Sequence, residues 1–258
     1  MSVAKGLAQL VCSLGLLMLG ACAGADHLRG GEREPNLDVS DGWLTAPPPS
    51  PSDASSPSSA SSGTGRRLSE PFRNTYYDFP AARPGAQAAT VFDATCKPIG
   101  KVTQAFHDQV CMQGSGRLRS GATISFAKRD CDCAAECPRS GQRICFEKLD
   151  PKQFPTGRGS TGKPVTPLRS IAVDPEVLPL GTVVYIPEYD GLPTAEPNAV
   201  HDGCFVAEDR GSKVVGRHID VFTGDPSMTQ RWNQLVPSNL GVRLELGSAR
   251  CAHLLAPR

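Results

Sequence analysis

The 258-residue chain has almost no net charge: 27 Lys and Arg stand against 26 Asp and Glu, leaving +1. Binding a nucleic acid needs a clustered basic excess, so no nucleic-acid partner is expected. The chain also lacks a long amphipathic helix. Its helix signals are short: Pro226 to Leu235, with Asp225 placed as an N-cap, and Ala105 to Val110. It lacks an apolar run that could span a bilayer, because Leu7 to Leu19 falls short of the ~20 residues required. What it has instead is turn-forming residues, 26 Gly and 23 Pro, which suit a loop-rich β fold.

The short apolar run is informative for its flanks. Lys5 precedes it, and Leu19-Gly20-Ala21-Cys22 closes it with small residues and a cysteine. This resembles a bacterial lipoprotein signal, which implies cleavage after residue 21 and lipidation of Cys22. Acyl chains contribute about 0.8 kcal/mol per buried CH₂, so such an anchor holds the protein on a membrane. Ala23 after the anchor points, by the same resemblance, to the outer membrane and its periplasmic face. Residues 22–70 then read as a disordered tether, rich in Pro and Ser around Pro47 to Gly65. Too few apolar groups are available there to offset the entropy of ordering. Residues 71–258 remain as one domain large enough for a real core, expected as a monomer.

Ten cysteines are present. Cys12 falls in the signal and Cys22 at the anchor. The other eight are Cys96, Cys111, Cys131, Cys133, Cys137, Cys145, Cys204 and Cys251, an even number that reads as disulfides in an exported protein. Eight cysteines allow 105 pairings, and the sequence does not choose among them. Cys131-Asp132-Cys133, Cys137 and Cys145 lack the paired C-x₂-C knuckles of a zinc ribbon, so no metal is expected. No cofactor is expected either. Phe154 to Pro164 is rich in glycine, but it lacks the strand–helix context of a phosphate loop, and Pro164 stands where that loop needs Ser or Thr after Gly162-Lys163. It reads as a loop bordering a groove.

The richest stretch is Ile171 to Phe222. Three aspartates sit there in strand and turn contexts: Val173-Asp174-Pro175, Glu208-Asp209-Arg210-Gly211 and Ile219-Asp220-Val221-Phe222. Asp174 and Asp209 have the local setting of ordinary turn formers, whose side chains bond nearby N–H groups. Asp220 lies inside a strand pattern that disfavours aspartate, so it faces solvent or is held in a cleft for a purpose.

These motifs, with Pro179-Leu180-Gly181-Thr182 and Val215-Gly216-Arg217-His218 between them, resemble the 3D domain, named for its three aspartates. That domain is similar to the catalytic domain of the membrane-bound lytic transglycosylase A family. Thr75-Tyr76-Tyr77 matches its first strand more loosely, and Thr161-Gly162 its Thr/Gly turn. The resemblance implies an all-β fold, a six-stranded double-psi β-barrel, here carrying a disulfide-stapled insert at about residues 96–150. It implies cleavage of peptidoglycan glycan strands without water, with Asp220 as acid and base, Asp209 coupled to it from a neighbouring strand end, and Asp174 as the third member of the catalytic set, placed to hold the turn or the groove rim. His218, Arg210 and Thr161 are the expected substrate contacts. Two departures stand out. The family's Asp-Thr-Gly-Gly is replaced by Asp209-Arg210-Gly211-Ser212, and the cysteine-rich segment is outside the family pattern. A non-catalytic reading is kept beside this one: expansin-like proteins share the barrel and an element like His218-Ile219-Asp220, yet bind and loosen walls.

Overall fold

A computed structural model describes residues 65–255. The signal, Cys22 and most of the tether lie outside them. The described chain is mostly β, with few helices. Twelve strands follow in order: β1 Arg66–Arg67, β2 Arg73–Asp78, β3 Ala89–Phe92, β4 Pro98–Val102, β5 Ser115–Arg117, β6 Thr123–Lys128, β7 Cys145–Leu149, β8 Ser170–Val173, β9 Val183–Pro193, β10 Val200–Asp209, β11 His218–Gly224 and β12 Glu245–Leu246. Helix α1 is Gln104–Gln113, α2 is Pro226–Leu235, and a 3₁₀ helix covers Ala249–Leu254. No helix among the described residues is long and apolar enough to cross a membrane.

Seven strands form one sheet in the order β1-β12-β9-β10-β8-β11-β2. Its two ends belong to one run of chain, because β1 and β2 are joined through Phe72, which bridges Val242 just ahead of β12. Arg66 and Arg67, within the span read as tether, thus pair with Glu245 and Leu246. The parallel contacts are β10 with β8 and β11 with β2; β8 runs antiparallel to β11.

Side-chain alternation divides this sheet cleanly. Ile171 and Val173 of β8, Phe205 and Ala207 of β10, and Ile219 and Val221 of β11 enter the main core with Trp232 and Tyr189. Strand geometry sends the residues between them to the opposite face. Trp232 is fully buried, stacks on Tyr189 at 5.2 Å between ring centroids, and donates its indole N–H to the Pro193 carbonyl at 2.8 Å. That helix begins as its sequence requires: Pro226 occupies the first turn, and the Asp225 carboxylate accepts from the backbone N–H groups of Ser227 and Met228. Helix α1 is capped by Thr103 and ends on Gly114 at φ 77, the left-handed stop that glycine permits.

The insert has a core of its own. Strands β3 and β4 form a hairpin, β5, β6 and β7 a three-stranded sheet, and α1 packs Phe106 and Val110 against Ile124 and Phe146. Three disulfides hold it, Cys96–Cys133, Cys111–Cys137 and Cys131–Cys145. The fourth, Cys204–Cys251, ties the 3₁₀ helix to β10. All eight cysteines expected to pair do so.

Candidate active site

One row of the sheet carries the site. Asp209 of β10 and Asp220 of β11 are both register partners of Ala172 on β8, and Asp220 is also the partner of Thr75 on β2. Asp209, Ala172, Asp220 and Thr75 therefore lie side by side across four strands, on the face away from the main core. The expectation of neighbouring strands for the two aspartates is corrected: β8 runs between them, which sets their backbones about 10 Å apart at the usual strand spacing. Ala172 itself is buried, packed in a small cluster with Tyr77, Val165 and Phe222 at the base of the site.

A bulge brings Asp209 into the row. The register shifts between Ala207, opposite Ile171, and Asp209, opposite Ala172, so Glu208 is the extra residue. Without that insertion Glu208 would occupy the place beside Ala172. Glu208 is buried instead and accepts from Ser170 Oγ at 2.5 Å.

Four donors converge on the Asp209 carboxylate. Oδ2 accepts from the Tyr77 hydroxyl at 3.1 Å; Oδ1 accepts from the Arg210 N–H at 2.9 Å, the Ser160 N–H at 3.2 Å and Ser160 Oγ at 3.0 Å. Burial pushes its carboxyl above the ordinary range, and the donors offset this only in part. Burial also raises Asp220, to about 6, with the Thr75 bond opposing and the Asp209 charge adding. Tyr77 is pushed up by burial and by the same carboxylates.

Asp220 ends a hydrogen-bonded chain. Its Oδ1 lies 2.6 Å from Thr75 Oγ1, which lies 2.8 Å from His218 Nε2, while His218 Nδ1 faces the Lys213 carbonyl at 3.3 Å. His218 is 6% exposed, and burial holds it below its ordinary pKa, so the ring is neutral and carries one proton. With Asp220 ionised, Thr75 donates to it, Nε2–H donates to Thr75, and Nδ1 turns a lone pair toward the Lys213 oxygen. With Asp220 protonated, the chain reverses and every contact has one proton: Asp220 to Thr75, Thr75 to Nε2, and Nδ1–H to Lys213. The chain can thus carry either state of Asp220; burial favours the neutral acid, and the Thr75 bond opposes it.

The row forms one side of an open groove of about 710 Å³. The sheet contributes Tyr77, Ala172, Asp209 and Asp220; the insert faces them with Ser115, Ser125, Phe126, Arg129, Gln142 and Ile144. The insert is thus the second wall of the groove. Arg210, Ser160 and Gly162 lie along its rim.

Not every expected residue joins. Asp174 lies apart from Asp209 and Asp220 and holds a turn. Its Oδ2 accepts from the Gly216 N–H at 2.6 Å and its Oδ1 from the Glu176 N–H at 3.1 Å, which holds its carboxyl below the ordinary range. It ties the turn after β8 to the loop before β11, outside the groove lining. Thr161 is also corrected: its hydroxyl is buried without a hydrogen-bond partner and does not line the groove. Its neighbour Ser160 makes the contacts instead. His218 lies behind Asp220, where it contacts Thr75 and not the groove. Arg210 does line the groove, and Asp209 accepts from its backbone. Thr75, Tyr77 and Ser160 had no assigned role in the sequence. Among the described residues, one trio has metal-ligating atoms within 4.8 Å of one another, Cys96, Cys131 and Cys133, and each of these sulfurs is in a disulfide.

Gly159 explains how Ser160 reaches Asp209. A Cβ at residue 159 would lie 2.5 Å from the Glu208 carbonyl oxygen, nearer than side chains approach backbone. Glycine lets the loop touch the bulge. Gly159→Ala is expected to destabilise the fold by about 1–3 kcal/mol through overpacking and to loosen Asp209. Urea titration measures the first effect, and a moved acid limb in the pH–rate profile the second. A variant with wild-type stability would mean that the close approach is dispensable.

Residues 169–233 match the family model of the 3D domain. Among solved structures, Escherichia coli MltA with bound chitohexaose is 15% identical, with 69% of this chain and 71% of that chain covered and a TM-score of 0.51. The membrane-bound lytic murein transglycosylase of Agrobacterium tumefaciens is 14% identical over 72% of this chain and 76% of its own, with a TM-score of 0.49. The lytic transglycosylase LtgG of Burkholderia pseudomallei is 16% identical over 70% and 75%, with a TM-score of 0.43. No curated protein matches the sequence. The chain carries a 3D domain spanning β8 to β11, set in a fold similar to that of MltA.

Proposed function

We propose that the protein is a peptidoglycan lytic transglycosylase that cleaves the β-1,4 bond between N-acetylmuramic acid and N-acetylglucosamine. The carrying observation is Asp220: a carboxyl lining an open groove, raised by burial to about 6 and joined to a Thr75–His218 chain that can also hold the protonated form. A general acid for glycosidic cleavage needs that state near neutral pH. Support for the polymer as substrate comes from the chitohexaose bound to E. coli MltA, which shares the fold. We further propose that β1/β2, β12, β9, β10, β8 and β11 make up a six-stranded double-psi barrel, since the run 66–78 pairs at both ends of the sheet. Lipidation of Cys22 and an outer-membrane site, on the periplasmic face, complete the proposal.

In the proposed reaction Asp220 gives its proton to the glycosidic oxygen, and the bond to the anomeric carbon of the muramic residue breaks. The muramic C6 hydroxyl attacks that carbon and closes a 1,6-anhydro ring. Asp220, now a carboxylate, takes the hydroxyl proton and is restored. One group serves twice because the nucleophile belongs to the substrate, so no second carboxylate has to activate water. Burial keeps the acid protonated, and the Asp209 charge adds to it.

The test incubates residues 66–258, disulfides intact, with purified sacculi and identifies products by mass spectrometry. Anhydro-muropeptides support the reading; products with reducing ends would indicate hydrolysis, and tight binding without products a non-catalytic wall-binding role. The alkaline limb of the rate is a second check. Loss of the Thr75 bond removes the one hydrogen bond that lowers the Asp220 pKa, so Thr75→Val is expected to shift this limb to higher pH. An unmoved limb would show that another group sets it.

A further inference from the structure

The groove is lined by more positive charge than a neutral glycan can use. Arg210 sits on the sheet side and Arg129 on the insert side of the same opening. Neither makes an ion pair among the described residues, whereas the third guanidinium of the lining, Arg158, is engaged by Glu147. Arg129 is held in place. Its Nε donates to Gln142 Oε1 at 3.1 Å, and its guanidinium lies 5.0 Å from the Phe126 ring centroid. Its remaining N–H groups stay available. With Asp220 neutral, Asp209 is the one carboxylate in the lining to oppose them, and its oxygens are already satisfied by four donors.

We propose that Arg129 and Arg210 form a two-sided clamp for the carboxylates of the substrate's peptide stems, so that the groove prefers glycan strands bearing acidic peptides over bare ones. This rests on the reading of the groove as a peptidoglycan site. The sugar backbone is uncharged wherever the lactyl group is in amide linkage to a stem, so the strand's negative charge resides in the stems. A strand on the groove floor projects its stems toward the rims, where these guanidiniums lie. Guanidinium matches carboxylate in planar, two-pronged bonding. Both residues are solvent-exposed, so the effect is on selection and encounter and it weakens with salt.

The experiment measures binding in the Asp220→Asn background, which separates it from turnover. Intact sacculi are compared with sacculi stripped of peptide by an amidase and then amidated at the lactyl carboxylates this exposes, each with and without Arg129→Glu/Arg210→Glu. The unreversed protein should prefer intact strands by about tenfold at low salt, and the preference should fade as salt rises past about 0.5 M. The reversed pair should lose that preference, while binding to stripped glycan stays within about twofold. Equal weakening on both polymers, or no preference to begin with, overturns the clamp. Near-UV circular dichroism of the reversed protein checks that the insert is intact, and Arg129→Gln/Arg210→Gln should fall between the two. Failure of the wild type to release anhydro products from either polymer would count against the catalytic reading and leave the binding difference standing.

Discussion

Asn in place of Asp220 is expected to eliminate anhydro-muropeptide release and, at neutral pH, to make the protein more stable. The activity loss should be about 10³-fold or greater: one general acid–base group contributes about 10²–10⁴, and here the same carboxyl acts in both proton transfers. The stability gain follows from linkage. Burial pushes the Asp220 carboxyl up to about 6 in the folded protein, from an ordinary aspartate value of 3.8. Between those values the folded state binds more protons than the unfolded state, so stability falls as pH rises through the window and stays reduced above it. At about 1.4 kcal/mol per unit, the penalty at pH 7 is at most about 3 kcal/mol, shared with Asp209 because the two carboxyls titrate as a coupled pair. Asparagine has no such charge to bury, and its amide can still bond Thr75. Urea denaturation at pH 4 and pH 7 should show the wild type weakening between them and the variant holding level. Residual product at a tenth of the wild-type rate, or a variant less stable at pH 7, would remove Asp220 from its role.

Such a trade of stability for chemistry is what the sequence hinted at when it put aspartate into Ile219-Asp220-Val221. The alternation there was legible: Ile219 and Val221 are core residues, and Asp220 faces away from them. The 226–235 helix was legible too, because Asp225 and Pro226 are signals acting over three residues. What escaped was set by long-range pairing. Thr75 meets Asp220 across 145 positions, and no local pattern marks one threonine in a strand above another. The order β10-β8-β11 depends on parallel crossovers that place an intervening strand between two motifs close in sequence. Asp174 and Asp209 look alike as turn aspartates, yet one is bonded by backbone N–H groups outside the groove and the other is turned into it by a bulge at Glu208. The cysteines declared their number but not their pairs, nor that the insert they hold would face the acid across the groove.

That arrangement predicts different outcomes from removing two different disulfides. Cys204–Cys251 closes a loop with a sequence separation of 47, and Cys111–Cys137 one of 26. Chain entropy assigns them about 4 and about 3.5 kcal/mol, so the losses of stability should be similar. Their positions are not similar. Cys204 and Cys251 pack with Tyr185 of β9, and none of the three lines the groove. Cys111 lines the groove from α1, and its partner Cys137 anchors the segment that leads to Gln142 and Ile144 on the same wall. Cys204→Ser/Cys251→Ser should therefore lower the unfolding midpoint yet keep most activity at temperatures where the protein stays folded. Cys111→Ser/Cys137→Ser should lose activity well below its midpoint, with KM rising more than kcat falls, because the acid remains in the sheet while the opposing wall loosens. Activity that simply tracks the folded fraction in both variants would show that the groove works with one wall, and that the insert serves stability alone.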